Sequence, residues 1–192
     1  HCKVVMDSLL TDKKYMIVGI IDLVGRLGEK VLGVKVIGTD SSLPVYFRKG
    51  IRNCFISIGS IGNPGLRLKI YNKVREIGFK LPNVISSKAS ISNFSSIGEG
   101  NYIGPGAIIN AGSQIGNNCI INTGVIVDHD CKIGDFVHLS PGVTLSGGVE
   151  IGRCTHIGTG SSVVQLLKIG NNTIVGAGSV VVKDIKSNVV VY

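Results

Sequence analysis

From Ile85 to Lys186 an aliphatic residue returns every six positions without a break, through 17 hexapeptides that together make 102 residues. Their first positions are Ile85, Ile91, Ile97, Ile103, Ile109, Ile115, Ile121, Val127, Ile133, Leu139, Leu145, Ile151, Ile157, Val163, Ile169, Val175 and Val181. The next position is Gly, Asn, Asp or Ser in all but Val164 and Val182, and the fifth is usually small, as in Ala107, Ser113, Cys119, Thr155 and Ser161. A helix cannot hold this period, because six residues advance it by about 600° and scatter the stripe around its circumference. Short strands separated by turns can hold it, with each hexapeptide forming one side of a coil. The pattern predicts a parallel β-helix. Three hexapeptides per coil place residues 18 apart above one another at roughly 4.8 Å, giving a three-faced prism of a little under six coils. Ile103, Ile121 and Leu139 are then inward neighbours.

The residues before the repeats follow a different pattern. Val4, Val5, Ser8 and Leu9 fit a short helix, Tyr15 to Asp22 reads as a buried strand ending in an acid, and Asn53 to Gly59 reads as a second strand closing on glycine. Asn63-Pro64 offers an N-cap with proline at the first helical position, and Leu66 to Ile77 is an amphipathic helix stopped by Gly78. Strands alternating with helices predict a small parallel α/β domain over residues 1–83, ahead of the β-helix at 84–192, with ligands beyond the carboxyl ends of its strands. Asp22 and Gly59 fall at those ends. Asp22 has two readings, a ligand-binding acid or the cap of a turn. A helix that opens a βαβ unit follows a strand, so the sequence is expected to begin partway into its first domain, with any Gly-rich phosphate loop before residue 1.

Composition narrows the function classes. Glycine is abundant at 27 residues and aromatics are scarce at 5%, in keeping with a turn every six residues around a narrow coil. The net charge of +8 is dispersed, without the basic run of a nucleic-acid tail, and is compatible with small anionic ligands as well as with ordinary surface charge. Five cysteines, odd in number and without CxxC pairs, argue against a disulfide framework or a zinc site; Cys119 and Cys131 are expected to face the core. No apolar stretch suffices to span a membrane and no secretory h-region opens the chain, so a cytoplasmic enzyme is expected.

The candidate chemistry centres on four histidines, His1, His129, His138 and His156. His138 and His156 stand 18 residues apart and stack on one face. His129 precedes His138 by nine residues, half a coil, so the two leave the prism on different faces. They meet only if subunits pack face to face, which predicts a site at the interface of a threefold oligomer. Asp128-His129-Asp130 surrounds an imidazole with carboxylates that orient it and raise its basicity; the other reading is a solvated turn histidine. No GxSxG elbow supports a serine hydrolase, and three consecutive residues rarely converge on one metal ion.

The stretch INTGVIVDHDCKIGDFVHLSPGVTLSGGVEIG (121–152), the later IGNNTIVGAGSVVVKD (169–184) and the opening HCKVV resemble the hexapeptide-repeat sugar O-/N-acetyltransferases of the sialic acid and bacillosamine pathways. The resemblance covers essentially the whole chain. It implies a Rossmann-like domain followed by a left-handed β-helix, a homotrimer, acetyl-CoA as co-substrate without a metal, and a nucleotide-linked sugar as acceptor. Neither nucleic acid nor membrane insertion belongs to it. By the same resemblance His129 is the general base, Asp130 the acid that makes it more basic, and His138, Thr159 and Ala177 line the acetyl-CoA site. His1, Asp22 and Gly59 match segments that hold the sugar nucleotide. The rival expectation is a non-catalytic trimeric β-helix or a zinc-dependent protein like the carbonic anhydrases.

Overall fold

A computed structural model describes residues 1–192. Residues 84 onward wind into a left-handed parallel β-helix whose coils carry three flat faces. Each hexapeptide supplies one two-residue strand, beginning with Val84–Ile85, and through Val180–Val181 the strands pair 18 residues apart, as Tyr102–Ile103 with Ile120–Ile121 and Ile120–Ile121 with His138–Leu139. The first face holds seven strands, the second six and the third five. The period of six therefore dictates the stacking: one residue of each pair points in, and its neighbour points out.

The inward column is a single core of 21 buried residues that includes Ile103, Ile121 and Leu139, none of them accessible to solvent. Ile91 and Ile97 pack on it only partly, and Ile85, at the open end of the first coil, is 37% exposed and lies outside it. Fifth-position residues also face in. Cys119 and Cys131 are fully buried there. Ser113, Thr155 and Ser161 satisfy their buried hydroxyls by donating to the carbonyls of Asp128, Gly170 and Gly176 at 2.6, 2.7 and 2.8 Å. The coil continues past the last regular hexapeptide with a shortened step: Ile185 bridges Ile169, and Val190–Val191 pairs with Ile174–Val175.

The outward residues distinguish the faces. The third carries Gln114, Lys132, Glu150 and Lys168, and Glu150 bridges Lys132 at 3.3 Å and Lys168 at 3.5 Å. The second presents Ile108, Ile126, Thr144, Ser162 and Val180, with Val180 68% exposed. The first is covered by the preceding domain, where Val5 packs against Val84, Tyr102 and Ile120.

That domain opens with α1 (Cys2–Asp12). A small sheet follows, formed by β1 (Ile20–Ile21), β2 (Lys30–Val31) and β3 (Val34–Gly38) in the order β1-β3-β2, with one parallel and one antiparallel pair. α2 (Leu43–Arg48) and α3 (Gly65–Ile77) complete it. The expected strand at Tyr15–Asp22 pairs only at Ile20–Ile21, because β3 is its one partner and meets it only there. The expected strand at Asn53–Gly59 is extended but makes only one bridge, Asn53 to Lys80. An apolar slot of about 360 Å³ runs beside both segments, lined by residues such as Val5, Ile17, Ile20 and Phe55. α3 starts at Gly65, with Asn63 Oδ1 accepting the Gly65 N–H at 2.8 Å; its N-cap is Pro64, one residue after the expected Asn63. It ends at Gly78, whose φ of 100° lies in the left-handed region where glycine has no Cβ penalty. No helix is long and apolar enough to cross a membrane.

Candidate active site

His129 and Asp130 form the turn between the second and third faces, with Asp130 in the left-handed conformation at φ 59°. The carboxylates flanking His129 have separate tasks. Asp128 Oδ1 accepts the His129 backbone N–H at 2.8 Å and the Asn110 side-chain amide at 2.9 Å from the coil before, so it holds the turn. Those two hydrogen bonds keep its pKa below the usual carboxylate range. Asp130 Oδ2 lies 2.9 Å from His129 Nδ1. A carboxylate only accepts, so the imidazole proton sits on Nδ1 and Nε2 keeps its lone pair. The Asp130 hydrogen bond, reinforced by the charge of Asp128, raises the His129 pKa.

Two glycines make room for this pair. One coil on, a Cβ at Gly147 would stand 2.5 Å from His129 Nε2; one coil back, a Cβ at Gly112 would fall on Asp130 Oδ1. Neither glycine, nor Asn110, was singled out by the sequence pattern. The signal was present in the 18-residue spacing, which puts 112 under 130 and 147 over 129.

His138 lies on the first face beneath the first domain. Its ring meets that of His156 edge-on at 4.8 Å between centroids, as the 18-residue spacing predicts. Nδ1 is 2.6 Å from the Ser60 carbonyl, and Nε2 is buried without a partner. Burial, more than any charge, pushes the His138 pKa down to about 4, so the ring is neutral. Thr159 and Ala177 are exposed at the turn between the first and second faces, stacked one coil apart. Each is followed by glycine, in a column Gly106, Gly124, Gly142, Gly160 and Gly178 with φ between 66° and 72°. That corner therefore carries a rail of glycines running along five coils, beside a column of Pro105, Thr123, Pro141, Thr159 and Ala177. Within one chain His129 and the Thr159/Ala177 corner flank the second face, and His138 is turned away on the first.

In the first domain His1 and Gly59 come together: a Cβ on Gly59 would lie 3.4 Å from that of His1. The His1 ring meets Tyr102 edge-on at 5.1 Å, and its Nε2 is buried without a partner. Asp22 makes local contacts, accepting from Leu23 N at 2.8 Å and pairing with Arg26 at 2.7 Å, so it caps its turn. The excess positive charge lies wholly in residues 1–83; residues 84–192 balance six Lys and Arg against six Asp and Glu. The thiols of the coil are poor nucleophiles. Burial raises Cys119 to about 12 and also lifts Cys131 and Cys154. Within the chain no three His, Cys, Asp or Glu side chains converge as metal ligands.

Residues 1–74 match the PglD N-terminal domain, and residues 94–129 match the bacterial transferase hexapeptide repeats. No curated protein matches the chain significantly. Among solved structures, a mutant perosamine N-acetyltransferase from Caulobacter crescentus, in complex with CoA and GDP-perosamine, is 40% identical. Its TM-score is 0.92, over 100% of this chain and 89% of that one. The acetyltransferase domain of PglB from Neisseria gonorrhoeae is 34% identical with a TM-score of 0.91, over 99% and 91% of the two chains. WeeI from Acinetobacter baumannii is 27% identical with a TM-score of 0.79, over 97% and 89%. With this identity along its entire length, the chain belongs to the hexapeptide-repeat sugar acetyltransferases that carry a PglD-type N-terminal domain.

Proposed function

We propose that the protein transfers an acetyl group from acetyl-CoA to the amino group of a nucleotide-linked sugar, with His129 as general base. The observation that carries this reading is the His129–Asp130 pair, an imidazole whose Nδ1–H is committed to a carboxylate and whose Nε2 is free beside Gly147. As the sugar amine attacks the thioester carbonyl, Nε2 takes the amine proton; Asp130 stabilises the imidazolium, which returns the proton to the departing CoA thiolate. The donor and acceptor classes are supported by the relatives, of which one is described with acetyl coenzyme A and others with CoA and GDP-perosamine. Two of those perosamine N-acetyltransferase structures are of proteins in which one histidine is replaced by asparagine or alanine. The glycine rail beside Thr159 and Ala177 suits the extended arm of CoA, and the positive first domain, with His1 and Gly59, suits the phosphates of the sugar nucleotide. Asp22, already paired with Arg26, shapes that domain's loop and is the least direct of the three. Five free cysteines fit a reducing cytoplasm. Turnover of acetyl-CoA against UDP-, GDP- and CMP-linked amino sugars, beside their hydroxy counterparts, tests the assignment; acetylation of the hydroxy sugars alone would refute it.

The working unit is a homotrimer. The second face offers Ile108 and Val180 to solvent, with Ile126 half-buried on it, and it separates the His129 corner from the Thr159/Ala177 corner. Three such faces packed about a threefold axis bring the His129 corner of one subunit to the acetyl-CoA rail of the next. Sedimentation equilibrium is expected to give a trimer. Ile126→Arg, which puts a charge in that interface, is expected to yield a folded monomer without activity; a fully active monomer would refute the shared site.

His138→Ala is expected to raise the KM for acetyl-CoA about tenfold, the equivalent of one hydrogen bond, with kcat little changed. Initial-rate kinetics check this, and a loss confined to kcat would remove His138 from the acetyl-CoA site.

A further inference from the structure

Arg67 is 1% exposed, making it one of the largest fully buried side chains, and no carboxylate pairs with it. Nε and Nη1 donate to backbone carbonyls, while Nη2 is buried without a partner. Nη1 donates to Ile56 O at 2.6 Å and Ile58 O at 2.7 Å, and Nε donates to Asn118 O at 3.2 Å. The first two acceptors lie in the extended segment that leads to Ser60, and the third lies in the β-helix. One planar guanidinium thus ties that segment to the coil. Just past the tied carbonyls, the segment lays the Ser60 carbonyl against His138 Nδ1 at 2.6 Å.

We propose that Arg67 is a positioning residue that acts through the Ser60 carbonyl, holding the His138 proton on Nδ1 so that Nε2 meets the ligand as a hydrogen-bond acceptor. A carbonyl cannot donate, so a Ser60–His138 hydrogen bond requires Nδ1–H, and the neutral ring then has only a lone pair at Nε2. Burial keeps the ring neutral. Nε2 is buried without a protein partner. The ligand group that satisfies it carries an N–H or O–H and is not the thioester carbonyl; in acetyl-CoA the pantetheine amides have that chemistry. A buried cation held only by carbonyls is a costly way to fasten a loop, and the tautomer of His138 is what the fastening secures. The identity of the ligand rests on the acetyl-transfer reading above; the tautomer does not.

The test is 15N NMR of the full chain labelled at histidine, with and without CoA, alongside initial-rate kinetics. Wild type is expected to show His138 as the Nδ1–H tautomer, with the Nε2 resonance moving as it accepts a hydrogen bond when CoA is added. An Nε2–H tautomer in the free protein overturns the proposal, as does an Nε2 resonance unmoved by saturating CoA. Arg67→Met is expected to mix the tautomers and raise the KM for acetyl-CoA at least about tenfold with kcat within about threefold. A folded variant with wild-type tautomer and KM overturns the role of Arg67. Should Arg67→Met not fold, Arg67→Lys, which keeps the charge but not the planar fork, is read by the same two criteria. If the acetyl-transfer reading fails instead, the protein binds no CoA at all, while the tautomer of the free protein still decides the role of Arg67.

Discussion

Replacing His129 by alanine is expected to lower the turnover number by roughly 10²–10⁴-fold, the range for loss of a general base, while acetyl-CoA affinity stays nearly constant. The side chain is largely exposed in one chain and contacts Asp130 only through Nδ1, so the substitution removes Nε2 without disturbing the core. The pH profile gives the sharper test. A general base works deprotonated, so activity falls on the acid side as His129 takes up a proton. Asp130 raises the His129 pKa, chiefly through the 2.9 Å hydrogen bond. Asp130→Asn removes that negative partner, so the acidic limb of the kcat/KM profile moves to lower pH while part of the activity remains. Gly147→Ala probes the same geometry from the opposite side. Its Cβ would stand 2.5 Å from Nε2, so activity is expected to fall with the thermal midpoint nearly unchanged. An active His129→Ala enzyme with an unshifted pH profile would end the assignment.

Ile121→Asp is expected to abolish folding. Ile121 is inaccessible to solvent, at the centre of a column with Ile103 below and Leu139 above. Burial of such a side chain contributes roughly 1.5–3 kcal/mol. A carboxylate in its place loses that contribution and adds the cost of an unpaired charge among methyl groups. Against a total stability of about 5–15 kcal/mol for a typical domain, the sum is large enough to prevent assembly of the coils. Circular dichroism and thermal melting decide it; a cooperative transition within a few degrees of wild type would mean that position 121 does not face the core.

The β-helix was legible to the residue because its pairing is periodic. With one strand per hexapeptide and three per coil, 18-residue arithmetic yields every partner up to Val180–Val181, including the His138–His156 stack; only the last coil, with its 16-residue step, escapes it. Arithmetic also sufficed for the inward cysteines. The first domain was less legible. Tyr15–Asp22 and Asn53–Gly59 have the composition of strands, yet a strand requires a partner at hydrogen-bonding distance. β3 reaches only Ile20–Ile21, and Asn53 finds only Lys80. The sheet formed instead around Val34–Gly38, whose Val-Lys-Val alternation is too short to be told from a loop by pattern alone.

At the site, sequence alone determined that a histidine sits between two carboxylates at an otherwise regular turn, and that His129 and His138 leave the prism in different directions. Only the tertiary structure decided which carboxylate does what. Asp128 and Asp130 are equivalent in the string Asp-His-Asp. Asp128 becomes a turn anchor because Asn110 lies one coil below it, and Asp130, in the left-handed conformation, swings its carboxylate over Gly112 to the imidazole. His138 likewise reads as one more outward residue of a strand. It becomes buried, with Nδ1 on the Ser60 carbonyl, because α3 and the segment before it bring Arg67 and Ser60 across from the first domain, separated from it in sequence by 71 and 78 residues. A repeat encodes its own neighbours at a fixed spacing, so they can be counted along the chain; contacts between the domain and the coil have no period, and only folding brings them together.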